Sequence, residues 1–540
     1  MNENFLFTDV GIDSIGFYAP RYYIDLQELA LERGVRPDKL TKGLLLSEMR
    51  MPDYDEDIIS FALKAGYNAL YRGNINPKDI DAVFVGTETM TYSVKSVSNI
   101  LVELLGISKY SMTQDIYNAC AAQTLAILNA IALIEKGIIN KALVVGADIS
   151  YYNLDTPSEF TQGSGAVALI ISKEPRIANF EKRFGKVSSN INDFFRPANE
   201  ENAQVFGRYS VKSYLNFQID AYDNLVSQIG DFYANYYVFH APYAKLPIKC
   251  MQQLIVKRML NNSHINLDLK QKHIKDSIIK EIDSFVRKLS INQALFYTNS
   301  KEKGEINELM DKITNWVESH FKERVLPQLE VPKYFGNMYS ASVWAQINFI
   351  LENYANSNET IYFGSYGSGA TCISGLLKVN PTFKSIVQRE PNIHYYIDNK
   401  IKRSVEEYEL MRQGIAKPKL VFGRIIEHEK NNGRGFTLHF CDKGCQIPAF
   451  KGLDYCPKGH QGFHEKFFPL YAVLESYPIT TLKPHFEIYR DGFIRITPNS
   501  KKGDIMEYEI RRIDIKEEKG CEVEGLLNWI PTYSPTKRVI

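Results

Sequence analysis

Cysteine is scarce in this chain, seven among 540 residues, and the odd, low number excludes the disulfide framework that staples small secreted folds. Neither sign of charge is in surplus: 64 Lys and Arg face 63 Asp and Glu, a formal net charge of +1. So balanced a chain has no general field for capturing nucleic acid or an anionic membrane, and any anionic ligand must meet a local cluster. No run approaches the roughly 18 uncharged apolar residues of a membrane span, and the opening Met1 to Asp9 lacks the basic stretch and apolar core of a leader. The expectation is a cytoplasmic protein that engages neither nucleic acid nor membrane. Short repeats, low-complexity blocks and long Gly/Ser linkers are also missing, so composition draws no sharp domain boundary.

What is present is 44% hydrophobic residues against 24% charged, enough to bury one large core or several ordinary ones. Apolar runs at Ala82–Gly86, Ala142–Gly146 and Ala166–Ile171 read as buried strands. Asp57 to Tyr71 and Ser96 to Leu105 carry apolar residues at helical spacing between them, which makes residues 1–175 an α/β half. A second half of the same kind spans 176–416, with strands at Tyr236–Phe239 and Thr360–Gly364 and a helix from Ser340 to Leu351. A polar helical insertion occupies about 261–326. From 417 to 540 the character changes to a small β-rich domain, with runs Phe486–Tyr489 and Phe493–Ile496 around the turn pair Asp491–Gly492.

Cys120, in Asn118-Ala119-Cys120-Ala121-Ala122-Gln123, stands directly before an apolar helical run. A helix start offers free N–H groups and a positive dipole end, which favour a thiolate nucleophile and hold an oxyanion. On local sequence alone the balance favours the other reading, an inert core cysteine. Glu88 after a strand, His240 at a strand end, Asn337 in Phe335-Gly336-Asn337-Met338-Tyr339, and Gly364-Ser365-Tyr366-Gly367 each have an equally plain structural reading. Carboxyl ends of strands are nevertheless where open α/β sheets place ligands.

Taken together and in order, Val85–Thr89, Asn118–Cys120, Thr161–Ala168, Phe239–Lys245, Gly336–Ser342 and Phe363–Gly369 resemble the signatures of the 3-hydroxy-3-methylglutaryl-CoA synthase family. Gly11–Tyr23, Asp193–Pro197 and Ser404–Tyr408 extend the resemblance, which runs from Gly11 to about Leu410. It implies a thiolase-like fold of two similar α/β halves in αβαβα layers, and a dimer. It also implies that Cys120 carries an acetyl group from acetyl-CoA, with the backbone amides of Cys120 and Ser365 as oxyanion donors. Glu88 would take a proton from the acetyl methyl, and His240 and Asn337 would hold acetoacetyl-CoA as the acceptor. Glu88 suits that part only if burial raises its pKa. Lys245 and Lys249 are candidates for the CoA phosphates, and Thr161 and Ser210 for polar contacts to the acyl or pantetheine part. No catalytic cofactor is expected.

The chain departs from the family after the nucleophile, where Ala121-Ala122-Gln123 replaces an aromatic residue followed by small ones, so a roomier and differently polar pocket is expected there. That opens a second reading, a β-branching enzyme acting on a β-ketoacyl carrier protein, and a third is a non-catalytic acyl-CoA-binding scaffold. In the extension, Cys441, Cys445, Cys456 and His460 form two pairs separated like the knuckles of a zinc ribbon, each one residue wider than the usual Cys-x2-Cys. The spacing admits a structural zinc and, equally, unligated cysteines beside a surface histidine. A ribbon followed by β structure resembles the small acyl-CoA-associated proteins that join archaeal thiolase and synthase. The extension would then be a fused docking or CoA-holding module, with a thiolase as a partner; the alternative is a domain that covers a sheet edge or a dimer interface.

Overall fold

The computed structural model describes residues 5–260, apart from 54–55, 198–199 and 201, and residues 318–412, with a few helical positions between 308 and 315 and the backbone of short strands after residue 424. Most of the insertion at 261–326 and of the extension at 417–540 therefore lies outside the described residues. In the extension the backbone of Glu487–Tyr489 pairs antiparallel with Phe493–Arg495 through Ile488 and Ile494, the hairpin read from Asp491–Gly492.

A ten-stranded mixed sheet carries the core. In chain order its main strands are β1 (Phe7–Tyr18), β2 (Ala82–Gly86), β3 (Met112–Ile116), β4 (Lys141–Ile149), β5 (Ser164–Lys173), β6 (Ala178–Glu181), β7 (Tyr236–Phe239), β8 (Thr360–Gly367) and β9 (Thr371–Val379). Their spatial order is β7-β8-β9-β6-β1-β5-β4-β2-β3, with Gly185–Ser188 pairing off this path. The order contains a repeat. β2 runs parallel to β4, which is antiparallel to β5, itself antiparallel to β1. Likewise β7 runs parallel to β8, which is antiparallel to β9, itself antiparallel to β6. The two sets join through the antiparallel pair β1 and β6. The fold is thus two α/β halves of like topology, and residues such as Val83, Val85, Val144, Leu169 and Ile170 are fully buried because both faces of these strands are covered.

The main helices are α1 (Ile58–Gly73), α2 (Val97–Leu104), α3 (Ala122–Glu135), α4 (Gly207–Ile229), α5 (Lys245–Leu260), α6 (Ser342–Asn353) and α7 (Val405–Arg412). A capping box starts α1: Asp57 Oδ1 accepts from the Ser60 N–H at 2.8 Å while Ser60 Oγ accepts from the Asp57 N–H at 3.0 Å. Helix α6 is buried from Ser342 to Leu351, packed between strands of both halves. Helix α3 begins against the end of β2. A Cβ on Gly86 would lie 2.3 Å from the Gln123 nitrogen, so only glycine lets the two backbones approach there. That approach sets the Cys120 turn beside the loop that follows β2.

Candidate active site

Cys120 occupies a single helical turn, Ala119–Ala121, entered through Ala119 at φ 42° and leading directly into α3. Glu88 follows β2. The Cys120 thiol donates to Glu88 Oε1 at 3.0 Å, and both side chains are buried. Behind them Asp148, at the end of β4, gathers the loop: its Oδ1 accepts from Thr87 Oγ1 (2.8 Å), the Glu88 N–H (2.9 Å), the Thr89 N–H (3.1 Å) and Thr89 Oγ1 (3.0 Å). Its Oδ2 accepts from the Ser340 N–H at 3.0 Å and from the Ser340 hydroxyl. Ser340 precedes α6 of the second half, so one buried carboxylate ties the Glu88 loop to the other half of the molecule. Arg196 donates to the Glu88 main-chain carbonyl.

Burial dominates the electrostatics. It pushes the Glu88 carboxyl up to about 8, helped by the nearby Asp148 charge and opposed by the Cys120 hydrogen bond and by Arg196. Burial, and then the Glu88 charge, push the Cys120 thiol well up. The thiolate expected from the helix start is therefore not the resting form: the dipole acts through a turn of three residues, whereas the opposing carboxylate is in direct contact. The thiol and carboxyl form a coupled pair in which Glu88 can receive the thiol proton as the sulfur attacks.

His240 follows β7, with its main-chain N–H on the Gly364 carbonyl (2.8 Å) and its carbonyl accepting from Tyr214 Oη (2.7 Å). Its ring is buried, Nδ1 has no partner, and burial lowers its pKa to about 3, so the imidazole is neutral. Neighbouring β8 then passes the cysteine turn, where a Cβ on Gly367 would lie 2.7 Å from the Asn118 carbonyl oxygen and 2.8 Å from the Ala121 nitrogen. Ser365, in the same strand, accepts from Thr124 Oγ1 at 2.8 Å. Asn337 Oδ1 accepts from the Tyr339 N–H at 3.0 Å. Tyr152 and Tyr339 pack with Cys120 in one buried cluster, and Asn337 is tied to it through the Tyr339 backbone.

The remaining candidates sit further out. Thr161 Oγ1 donates to the Ser158 carbonyl at 2.8 Å, and Ser210 Oγ lies 3.4 Å from Asp193 Oδ2. Lys245 Nζ donates to the Lys42 carbonyl at 3.3 Å, and Lys249 is exposed one turn along α5. Of Cys441 only the strand backbone is described, and Cys445, Cys456 and His460 lie outside the described residues; among the described residues no group of three or more His, Cys, Asp and Glu could hold a metal. One expectation is corrected. Gln123 does not change the polarity of the pocket, because its amide donates to the Val167 carbonyl at 2.8 Å inside the sheet. The reason is position: Gln123 lies in the first turn of α3 on the face against Gly86 and Gly146, not over the thiol. Asp148, Tyr152 and Arg196 were missed. Asp148 carries a usable signal, a lone acid closing the apolar run of β4.

Two like α/β halves, with a buried cysteine at a helix start in contact with a carboxyl group, define an acyl-condensing enzyme of the thiolase superfamily. Residues 7–175 match the family model for the hydroxymethylglutaryl-coenzyme A synthase N terminal region, and residues 180–417 match the corresponding C terminal model. A hydroxymethylglutaryl-CoA synthase of Enterococcus faecalis is 27% identical over 410 residues, 74% of this chain and 91% of the relative. One from Archaeoglobus fulgidus is 33% identical over 250 residues, 45% of this chain and 72% of the relative. A solved structure of MvaS in complex with 3-hydroxy-3-methylglutaryl coenzyme A is 25% identical at a TM-score of 0.65, covering 79% of this chain and 98% of its own. The curacin-pathway HMG synthase with holo donor-ACP shares the fold at 23% identity and a TM-score of 0.60, covering 74% and 88%. The chain belongs to the hydroxymethylglutaryl-CoA synthase family.

Proposed function

We propose that this protein condenses an acetyl group carried on Cys120 with acetoacetyl-CoA and releases 3-hydroxy-3-methylglutaryl-CoA by hydrolysis, a step of the mevalonate pathway. The observation that carries the reading is the 3.0 Å contact between the Cys120 thiol and Glu88 in a buried site. In the first step the sulfur attacks the acetyl-CoA carbonyl, Glu88 accepts the thiol proton, and that proton leaves with CoA as its thiol. The backbone amides of Cys120 and Ser365 are the proposed oxyanion donors. With the sulfur esterified, ionised Glu88 takes a proton from the acetyl methyl, the resulting carbon attacks the acceptor ketone, and the proton held by Glu88 is returned to the new alkoxide oxygen, which becomes the 3-hydroxyl. Neutral His240 and Asn337 hold and polarise that ketone. Water then cleaves the enzyme thioester, restoring the Cys120 thiol. Every step uses the chain's own side chains, so no catalytic cofactor is required.

Lys245 and Lys249, one helical turn apart on α5, are the proposed CoA phosphate contacts, with Thr161 and Ser210 nearer the pantetheine. A homodimer is supported by β3, an edge strand that begins at exposed Met112 and is flanked by exposed Tyr110 and Tyr117, since an uncovered strand edge is a pairing surface. Cytoplasmic placement agrees with the described residues, where no helix is long and apolar enough to cross a membrane. For the extension, structural zinc on Cys441, Cys445, Cys456 and His460 and docking of a thiolase partner rest on the sequence spacing alone. Zinc content left unchanged by Cys441→Ser and Cys456→Ser would reject the ribbon.

A carrier-protein acceptor is the second reading, resting on the small, buried Ala121 directly after the nucleophile, where the family resemblance leads one to expect an aromatic residue. Presenting acetylated enzyme with acetoacetyl-CoA or with an acetoacetyl carrier protein, and following which one forms the new C–C bond, separates the two.

A further inference from the structure

The Ser404–Tyr408 motif takes no part in the chemistry above, yet α7, which follows Ser404, is fastened to the walls of the cysteine pocket. Tyr408 and Arg412 lie one turn apart on the same face of α7. Arg412 Nη2 donates to the Tyr152 carbonyl at 2.8 Å and to Asn202 Oδ1 at 2.7 Å, while Nη1 donates to Gln162 Oε1. The same Gln162 oxygen accepts from the Tyr152 N–H at 2.9 Å, so Arg412 holds Tyr152 from both sides of its backbone. Gln162 Nε2 donates to Tyr408 Oη (2.7 Å), which donates to Glu159 Oε1 (3.0 Å). Glu159 is in turn gripped by Arg33 through two bonds of 2.8 and 2.9 Å. The Arg412 guanidinium lies 4.1 Å from the centroid of the Tyr151 ring.

What Arg412 holds is the acyl pocket. Tyr152 and Ala203 pack in one cluster with Cys120, and the Ala203 N–H donates to the Tyr151 carbonyl at 3.2 Å. Asn202, held by the same Nη2 as the Tyr152 carbonyl, immediately precedes Ala203. A planar, always charged fork thereby spans two loops that supply Tyr152 and Ala203 to the cluster around Cys120, and its rigid donor geometry fixes their separation.

We propose that Arg412 is a positioning residue that sets the width of the acyl site over Cys120 and so selects acetyl against longer acyl groups. This rests on Cys120 being acylated. The test follows acylation of Cys120 by acetyl-CoA and by propionyl-CoA in the full-length wild type, Arg412→Met, Arg412→Lys and Glu409→Gln, with a melting temperature for each. Arg412→Met is expected to lower the acetyl-to-propionyl rate ratio on the order of tenfold, the scale of one methylene in a pocket. Arg412→Lys restores part of it. Glu409→Gln, on the same helix but bonded to Arg33 and to neither loop, keeps the wild-type ratio even where its melting temperature falls. Asn202→Ala, which removes one arm only, shifts the ratio in the same direction and serves should Arg412→Met fail to fold. An unchanged ratio in folded Arg412→Met or Asn202→Ala, or an equal shift in Glu409→Gln, overturns the proposal. A wild type that takes up neither acyl group overturns the Cys120 reading, and this inference with it.

Discussion

The Cys120 thiol donates to Glu88 Oε1 across 3.0 Å in a buried site, and burial raises the pKa of both groups, the Glu88 charge adding to the rise at Cys120. Below about pH 8 both groups therefore rest protonated, and Glu88 acts as a base from its ionised fraction. Replacing Glu88 by Gln removes the base and leaves the sulfur in place. Condensation is expected to fall by about 10²–10⁴-fold, the usual contribution of a positioned base, and acetyl transfer to fall less. Rapid-quench assays of the acetyl adduct and of condensed product measure the two steps separately.

The pair also sets a pH dependence with a definite sign. The folded Glu88 pKa, about 8, lies above its ordinary 4.5, so between these values the native state holds a proton that the unfolded chain has lost. Stability then falls as pH rises through that window. Glu88→Gln, which cannot ionise, should gain in melting temperature relative to the wild type from pH 5 to pH 8. Condensation by the acetylated enzyme should rise with pH toward a limb near 8, absent in the variant. A stability gap that stays constant with pH would show that Glu88 is ionised throughout.

His240 predicts the absence of a limb. Burial holds its pKa near 3, so it stays neutral and hydrogen-bonds the acceptor without carrying charge. Activity should show no loss attributable to histidine protonation between pH 5 and 7. His240→Ala should keep Cys120 acetylation near the wild-type rate while condensation with acetoacetyl-CoA drops by about 10²-fold or more. Equal loss of both steps would place His240 in acyl transfer instead.

Asp148→Asn is expected to be costly although Asp148 touches no substrate. One of its two accepting oxygens becomes an NH₂ donor facing either the Thr87–Thr89 group or Ser340, so buried donors lose their acceptor. The expected destabilisation is on the order of 2–3 kcal/mol, read by urea denaturation, together with reduced condensation as the Glu88 loop comes free.

Strands and helices of the core were legible because strands buried on both faces are continuous apolar runs and α1 carries its own capping box; β2, β4 and β5 appear where the runs at Ala82, Ala142 and Ala166 place them. The contact of Cys120 with Glu88 was legible only through motif order, since neither residue announces itself locally. The protonation state was not legible: the helix start argues for a thiolate, and only the fold reveals the carboxyl facing it. Gln123 was misplaced for a related reason, because adjacency in sequence to a nucleophile does not say which face of the helix a side chain takes. Asp148, Tyr152 and Arg412 act through backbone carbonyls and loops distant in sequence, and such contacts leave no spacing pattern.

The most direct test of the account is the mass of the Cys120 peptide after incubation with acetyl-CoA alone. A gain of one acetyl group on that peptide, lost in Cys120→Ala and discharged when acetoacetyl-CoA is added, is the predicted result. An unmodified Cys120 peptide from folded protein would contradict it.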